Sequence, residues 1–249
     1  MKKVLGIDIG GTGIKGAIVN LKRGKFATDR LRIPTPSHST PENVAKVLAE
    51  IVDNFSEELG DAPVGITVPA PVIHGVTPFI ANLEKSWAGK NMEEFFADKL
   101  GRKVVVVNDA DAAGVAEVYY GAAQGVEGTV LVTTLGTGIG SALIYKGVLV
   151  PNTELGHIEL DGAEAEKVAA KSIMVAEDLS FEEWAKRLQR YYSHLEMLFS
   201  PDLLVVGGGI SKNSDQFLPL LDLKCDIVPA KLKNKAGIIG AAWLAADEV

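Results

Sequence analysis

The 249 residues contain a single cysteine, Cys225. No disulfide can close within one chain, which fits a reducing compartment. Positive charge is also in deficit: 25 Lys and Arg stand against 32 Asp and Glu, a net charge of -7. A surface that is electropositive throughout, as nucleic acid would require, is therefore not expected, although a local basic groove remains compatible with that balance. Long apolar runs are missing as well. One long uncharged stretch, residues 128–145, is interrupted by Thr and by four Gly. It reads as two strands around a turn, since a membrane span needs about 20 predominantly apolar residues. The opening MKKVLGIDIG reaches Asp8 after too few apolar residues for a signal peptide. These absences predict a cytoplasmic protein with neither nucleic acid nor membrane as partner. Low-complexity linkers, the G-x-x-x-x-G-K-[ST] phosphate loop and the protein-kinase motif set are absent too.

What is present is ordinary in bulk and specific in detail. With 47% hydrophobic and 23% charged residues, the chain has enough length for one large domain or two small ones with real cores. VLGIDIGGTGIKGAIVN reads as strand, glycine turn, strand, and VLVTTLGTGIGSALIYKG at 130–147 reads the same way. TGIKGAI and TGIGSAL are similar over seven positions, a weak internal repeat that points to a duplicated α/β unit. GTGIKG also satisfies G-x-G-x-x-G, but AIVN follows as a strand where a dinucleotide fingerprint would open a helix. Two readings stay open: a plain hairpin turn, or a turn whose backbone N–H groups approach a phosphate, with Thr12 and Thr137 adding hydroxyls and Lys15 a charge. A GGG at 207–209 adds a third glycine-rich loop, and the two matched hairpins together with it favour phosphate binding.

Helical spacing is clear over 41–59, with Thr40 as cap and Pro41 in the first turn. It recurs over 181–199, where Ser180 and Glu183 form a capping-box pattern and Pro201 marks the end. APVGITVPAPV, RKVVVVND and DLLVVGGGI read as further strands, and the apolar run Val104–Val107 suits a strand buried on both faces. Strands alternating with helices give an α/β class. A domain change is expected near residue 110, giving a smaller α/β domain of residues 1–110 plus a returning C-terminal helix at 236–249, and a larger α/β domain of 111–235.

Two acidic segments invite a functional reading. Asn108 and Asp109 follow a buried strand immediately, where ligands of α/β sheets sit. Asp109 is either a helix N-cap or a carboxylate that accepts a proton from a substrate hydroxyl, and Asp111 adds a favourable first-turn charge. In PNTELGHIELDG, Glu154 and Glu159 flank His157. His157 can be a metal ligand, a sugar ligand or a structural hydrogen-bonding residue; zinc usually wants more N or S ligands nearby.

Together these stretches resemble the ROK family of sugar kinases, within the actin-like ATPase superfamily. The matching segments are GIDIGGTGIKGAIV, GITVPAPV, ANL at 81–83, NDADAAGVAE, GTGIGSALI, ELGH, PDLLVVGGGIS and AGIIGAA, in family order from residue 6 to about residue 242. The resemblance implies a duplicated, ribonuclease H-like fold of two domains with a cleft between them. It also implies phosphorylation of a hexose, glucose and in some members mannose, at the 6-hydroxyl. In that reading Asp109 is the general base, and Asn82, Asn108, Glu154, His157 and Glu166 hold the sugar, with Glu159 a spare candidate. Asp8, Gly10, Gly11, Thr12, Lys15, Gly136, Thr137, Gly138 and Gly208 face the phosphate donor, with Asp8 positioning Mg2+ through water. Typical members bind zinc through the histidine of the GH segment and a downstream cysteine cluster. Here IELDGAEAEKVAAKS follows, without cysteine, so structural zinc is not expected and the sites include no protein-bound metal. That gap, with GGTGIKG, NLEKSW, GVLVPNTELGH and EAEKVAA, resembles the polyphosphate-dependent glucokinase subgroup, whose donor is polyphosphate and in some members ATP. A basic groove for that polyanion would draw on Lys85, Lys146, Lys212, Lys231, Lys233 and Lys235. Relatives also imply a homodimer. The alternatives are an ATP-dependent fructokinase or acyl-aminosugar kinase, and a sugar-sensing repressor. The repressor would need an N-terminal helix-turn-helix, for which the strand beginning near residue 4 leaves no room.

Overall fold

The computed structural model describes residues 3–80 and 83–247. The chain divides into two compact units, one taking in the residues up to Ala116 and from Lys235 onward, the other Glu117–Asn234. The division therefore falls inside the helix that follows Asp109.

In the first unit the elements run β1 (Lys3–Gly10), β2 (Gly13–Asn20), β3 (Lys25–Phe26), β4 (Leu31–Ile33), α1 (Pro41–Asn54), α2 (Ser56–Leu59), β5 (Val64–Val68), α3 (Met92–Leu100), β6 (Val104–Asn108) and α4 (Asp109–Tyr120). The sheet order is β3-β2-β1-β5-β6, with β4 also on β2. β1 and β2 are antiparallel, whereas β1, β5 and β6 run parallel. The strict period of two divides β1 between two layers. Leu5, Ile7 and Ile9 enter a core with Val44, Leu48 and Ile51 of α1 and Phe96 of α3. Full burial of each such side chain contributes about 1.5–3 kcal/mol relative to exposure. Thr40 caps α1 by accepting from the Asn43 amide at 3.2 Å. The periodic stretch 41–59 is not one helix: it breaks at Phe55 (φ -111, ψ 13), while Phe55 and Leu59 still reach the core. Ser56, whose hydroxyl donates to the Asp53 carbonyl, competes there with continued helix.

The second unit continues with β7 (Thr129–Leu135), β8 (Ile139–Tyr145), β9 (Val148–Val150), β10 (Glu159–Leu160), β11 (Ala163–Glu164), α5 (Glu166–Ala169), α6 (Lys171–Ala176), α7 (Phe181–Phe199), β12 (Leu203–Gly207) and β13 (Asp226–Pro229). Its sheet order is β13-β12-β7-β8-β9. β7–β8 is the antiparallel hairpin, and β7, β12 and β13 run parallel. The path β2-β1-β5-β6 of the first unit thus has its counterpart in β8-β7-β12-β13, and the weak sequence repeat corresponds to a repeated topology. Helix α7 spans the expected residues, both halves of its capping box are formed, and Trp184, Leu188, Tyr191, Tyr192 and Leu195 are its buried face. The buried hydroxyls of Tyr192 and Thr133 satisfy each other at 2.7 Å.

Helix α8 (Ala236–Asp247) closes the first unit against β1 and β5. Gly6 and Gly65 permit that approach: a Cβ on either would run into the backbone of Ile238 or Ala241. Among the described residues, no helix is long and apolar enough to cross a membrane.

Candidate active site

The first glycine hairpin is as tight as its sequence suggests. Gly10 and Gly13 are the last paired residues, leaving only Gly11 and Thr12, both exposed, in the turn. The Thr35 hydroxyl donates to the Gly10 carbonyl, and Arg32 Nη2 donates to the Thr12 carbonyl at 2.9 Å. Asp8 and Lys15 are cross-strand partners, and their side chains form an ion pair at 3.1 Å. The Thr67 hydroxyl on β5 donates to the other Asp8 oxygen at 3.0 Å. Lys15 therefore lies beside the loop but is directed to Asp8. The Asp8 carboxylate is partly exposed and retains lone pairs beyond these two bonds. That suits a water-mediated contact with a magnesium ion, while the adjacent ammonium opposes a directly bound dication.

β1, β5 and β6 end on the same edge, with Asp8 level with Thr67 and Val68 level with Asn108. Asn108 is buried, and its Oδ1 accepts from the amides of Ala110 at 2.8 Å and Asp111 at 3.1 Å. Asn108 thus fills the capping role that the sequence offered to Asp109. Asp109 becomes the first residue of α4, partly exposed. The amide end of that helix stabilises an anionic carboxylate by about 0.3–1 kcal/mol. Asn82 lies outside the described residues.

In the second unit the glycine loop and the acid–histidine segment form one assembly. The loop 136–138 closes with Gly136 N–H donating to Gly138 O at 3.0 Å. Ser172 ties it down, its amide donating to Gly136 O and its hydroxyl to Thr137 O. The Glu166 carboxylate accepts from the Ile139 amide at 3.2 Å, and a Cβ on Gly138 would collide with it. Glu166 also lies 4.0 Å from His157 Nδ1. Ser141 on β8 holds the preceding segment, accepting from the Leu155 amide at 2.9 Å and donating to Thr153 O. Gly156 packs directly on the Ile139 carbonyl. Burial pushes the Glu154 carboxyl above its ordinary value; His157 opposes that shift and Glu166 adds to it. Gly208 has a left-handed φ of 82 and lies against the Leu135 backbone, so its lack of a side chain has a local cause.

Two partners were not anticipated from the sequence. Glu164, not the spare candidate Glu159, approaches His157, at 3.4 Å. Glu159 is exposed and pairs across the short β10–β11 ladder with Glu164, a register that nothing in PNTELGHIELDG reveals. Arg32 is the second, and its only signal is one basic residue before IPTP. One ligand atom each of His157, Glu164 and Glu166 lies within 4.8 Å of the others. Lys167 Nζ stands 3.2 Å from Glu166 and 3.9 Å from Glu164. With one nitrogen, two carboxylates and an ammonium among them, the group is a poor fit to a structural zinc site, which takes four ligands and favours Cys and His. Two of the six lysines weighed for a basic groove lie over aromatic rings: Lys146 over Tyr145 and Lys235 over Phe26, at 5.3 and 5.6 Å from the ring centroids.

Residues 4–170 match the model of the ROK family. The chain belongs to the ROK family. The ROK match spans both hairpins, Asp109, Glu154, His157 and Glu166, and stops short of Gly208. Among curated relatives, a polyphosphate glucokinase of Mycobacterium tuberculosis is 47% identical over 238 residues, covering 95% of this chain and 89% of that protein. The inorganic polyphosphate/ATP-glucomannokinase of Arthrobacter sp. strain KM has a crystal structure that superposes with a TM-score of 0.94 at 52% identity, covering 100% of both chains. A ROK family glucokinase from Streptomyces griseus, solved with glucose and AMPPNP, gives a TM-score of 0.84 at 25% identity, over 99% of this chain and 100% of that one. The fold of this chain is accordingly that of the ROK kinases, with the actin-like duplicated α/β architecture expected from its paired hairpins.

Proposed function

We infer that this protein is a polyphosphate/ATP glucokinase, transferring the terminal phosphoryl group of inorganic polyphosphate or ATP to the 6-hydroxyl of glucose. The observation that carries this reading is full-length likeness, at 52% identity, to a polyphosphate/ATP-glucomannokinase in a chain that holds both glycine hairpins and the Asp109 strand end.

Roles follow from the chemistry of each residue. Asp109, partly exposed beyond β6, takes the 6-hydroxyl proton. The sugar oxygen then forms its bond to the terminal phosphorus, and the bond from that phosphorus to the next phosphate oxygen breaks. The leaving group is polyphosphate shortened by one unit, or ADP. Glu154, His157 and Glu166 hold other sugar hydroxyls; a carboxylate accepts two such bonds at once. Asn108 is engaged through Oδ1 as a helix cap, so its part is to fix the Asp109 backbone as well as to meet the sugar. The amides of Gly10, Gly11, Thr12, Gly136, Thr137 and Gly138 offer donors to phosphate oxygens, with Gly208 on the nucleotide side. Magnesium, when bound with the donor, supplies positive charge near the transferred group, and Asp8 holds its water shell. Positioning and electrostatics dominate phosphoryl transfer, so these contacts govern rate more than folding. A homodimeric, cytoplasmic enzyme is part of the same proposal, and light scattering checks its oligomeric part.

Replacing Asp109 with Asn tests the base assignment. The variant is expected to fold, to bind glucose, and to lose about 100-fold or more in kcat; near-normal turnover would remove Asp109 from that role.

A further inference from the structure

We propose that Arg32 is a phosphate ligand for the donor, in addition to the hairpin backbone. The inference rests on the kinase reading above and assigns a further residue to its donor site.

The strand register sets the geometry. Asp8 opposes Lys15, Gly10 opposes Gly13, and Lys15 opposes Arg32 on β4. Opposed residues share a face, and so do residues two apart on a strand. One face of the β1–β2–β4 ribbon therefore carries Asp8, Gly10, Gly13, Lys15 and Arg32. Its tip is bare backbone, because both residues there are glycine. Arg32 lies over that bare tip, and Lys15 stands beside it. A Cβ on Gly13 would lie 2.7 Å from Arg32 Nε and 2.8 Å from Nη2, and one on Gly10 would lie 4.0 Å from Lys15 Nζ. Gly13 is buried because the guanidinium covers it, while Arg32 itself is exposed.

The charges do not balance. Asp8 neutralises Lys15 at 3.1 Å. Arg32 makes no ion pair among the described residues and spends one donor on the Thr12 carbonyl. Like charges directly opposed across strands are destabilising, and holding a long side chain in one geometry costs rotamer entropy. One hydrogen bond to an exposed carbonyl offsets little of that. A polyanion at the tip reverses the balance. The guanidinium fork can take two phosphate oxygens, and β4 is at the sheet edge, where a phosphate chain longer than the transferred group can continue.

Titration calorimetry with tripolyphosphate, without glucose, tests this apart from turnover. Arg32→Gln keeps an N–H donor for the Thr12 carbonyl but removes the charge; Arg32→Lys keeps the charge but loses the fork. The expected result is about tenfold or greater weakening for Arg32→Gln and a smaller loss for Arg32→Lys. The wild-type affinity should fall more steeply with salt than that of Arg32→Gln. Glucose binding and Tm should stay close to wild type in both. Tripolyphosphate binding by Arg32→Gln within twofold of wild type would overturn the assignment and leave Arg32 as a prop for the turn. So would a wild-type protein that binds no tripolyphosphate. Failure of the wild type to phosphorylate glucose with any donor would instead remove the kinase reading, while the Arg32 comparison still reads anion binding.

Discussion

Glu154 sits under two opposing demands. Burial raises its carboxyl pKa, His157 opposes the shift, and Glu166 adds to it. The folded state therefore favours the protonated acid. Stability tied to that form is complete below the ordinary carboxylate range and is lost as pH rises through the raised value. A carboxylate that grips sugar hydroxyls near neutral pH thus costs the fold something. Glu154→Gln is expected to raise Tm modestly at pH 8, to leave it unchanged near pH 4, and to raise the KM for glucose. Thermal unfolding at the two pH values checks the first part, and loss of the pH contrast would contradict it. Cys225 offers a second test at this scale. Burial, then the Glu196 carboxylate, pushes its thiol up to about 11. The thiol stays protonated at pH 8, so alkylation by iodoacetamide should be much slower than for an ordinary thiol and should accelerate only as pH approaches that value.

Between elements, the decisive contacts are those that join distant parts of the chain. The buried Glu117 carboxylate, near the end of α4, accepts from the amides of Ala122, Lys231 and Leu232 at 2.7, 3.1 and 2.7 Å. Removing it leaves those donors without their partner. Glu117→Ala should cost about 3 kcal/mol or more, measurable by urea unfolding, and a loss below about 1 kcal/mol would show that water replaces the carboxylate. Gly65→Ala should be as damaging, because α8 cannot retain its place on β5 with a methyl group against the Ala241 backbone. Periodicity and local capping made the elements legible: α7 with its Ser180–Glu183 box, the start of α1 at Thr40, and both glycine hairpins follow from residues close in sequence. The break at Phe55 was hidden, because the apolar spacing continues through it to Leu59. Glu117 was hidden for a different reason, since two of its three partners lie 114 and 115 residues away.

On the scale of the whole molecule, two units repeat one strand path, an antiparallel hairpin followed by parallel strands, each with its glycine turn at the hairpin tip. The similarity of TGIKGAI to TGIGSAL is the sequence trace of that repeat. The candidate site was legible where residues act through the local backbone, as at the two hairpins and at Asp109 after β6. It was less so where tertiary neighbours decide the chemistry. Glu164 rather than Glu159 meets His157, Asn108 rather than Asp109 caps α4, and Lys15 is turned toward Asp8. As a whole, the chain transfers phosphoryl groups to glucose, and polyphosphate serves as donor. The most direct measurement is glucose 6-phosphate formation with magnesium, comparing polyphosphate and ATP at matched concentrations of phosphate ends. Turnover with polyphosphate is expected, and product formation with ATP is compatible with that result. Turnover with ATP alone would contradict the donor assignment, and no product with either donor would contradict the kinase reading itself.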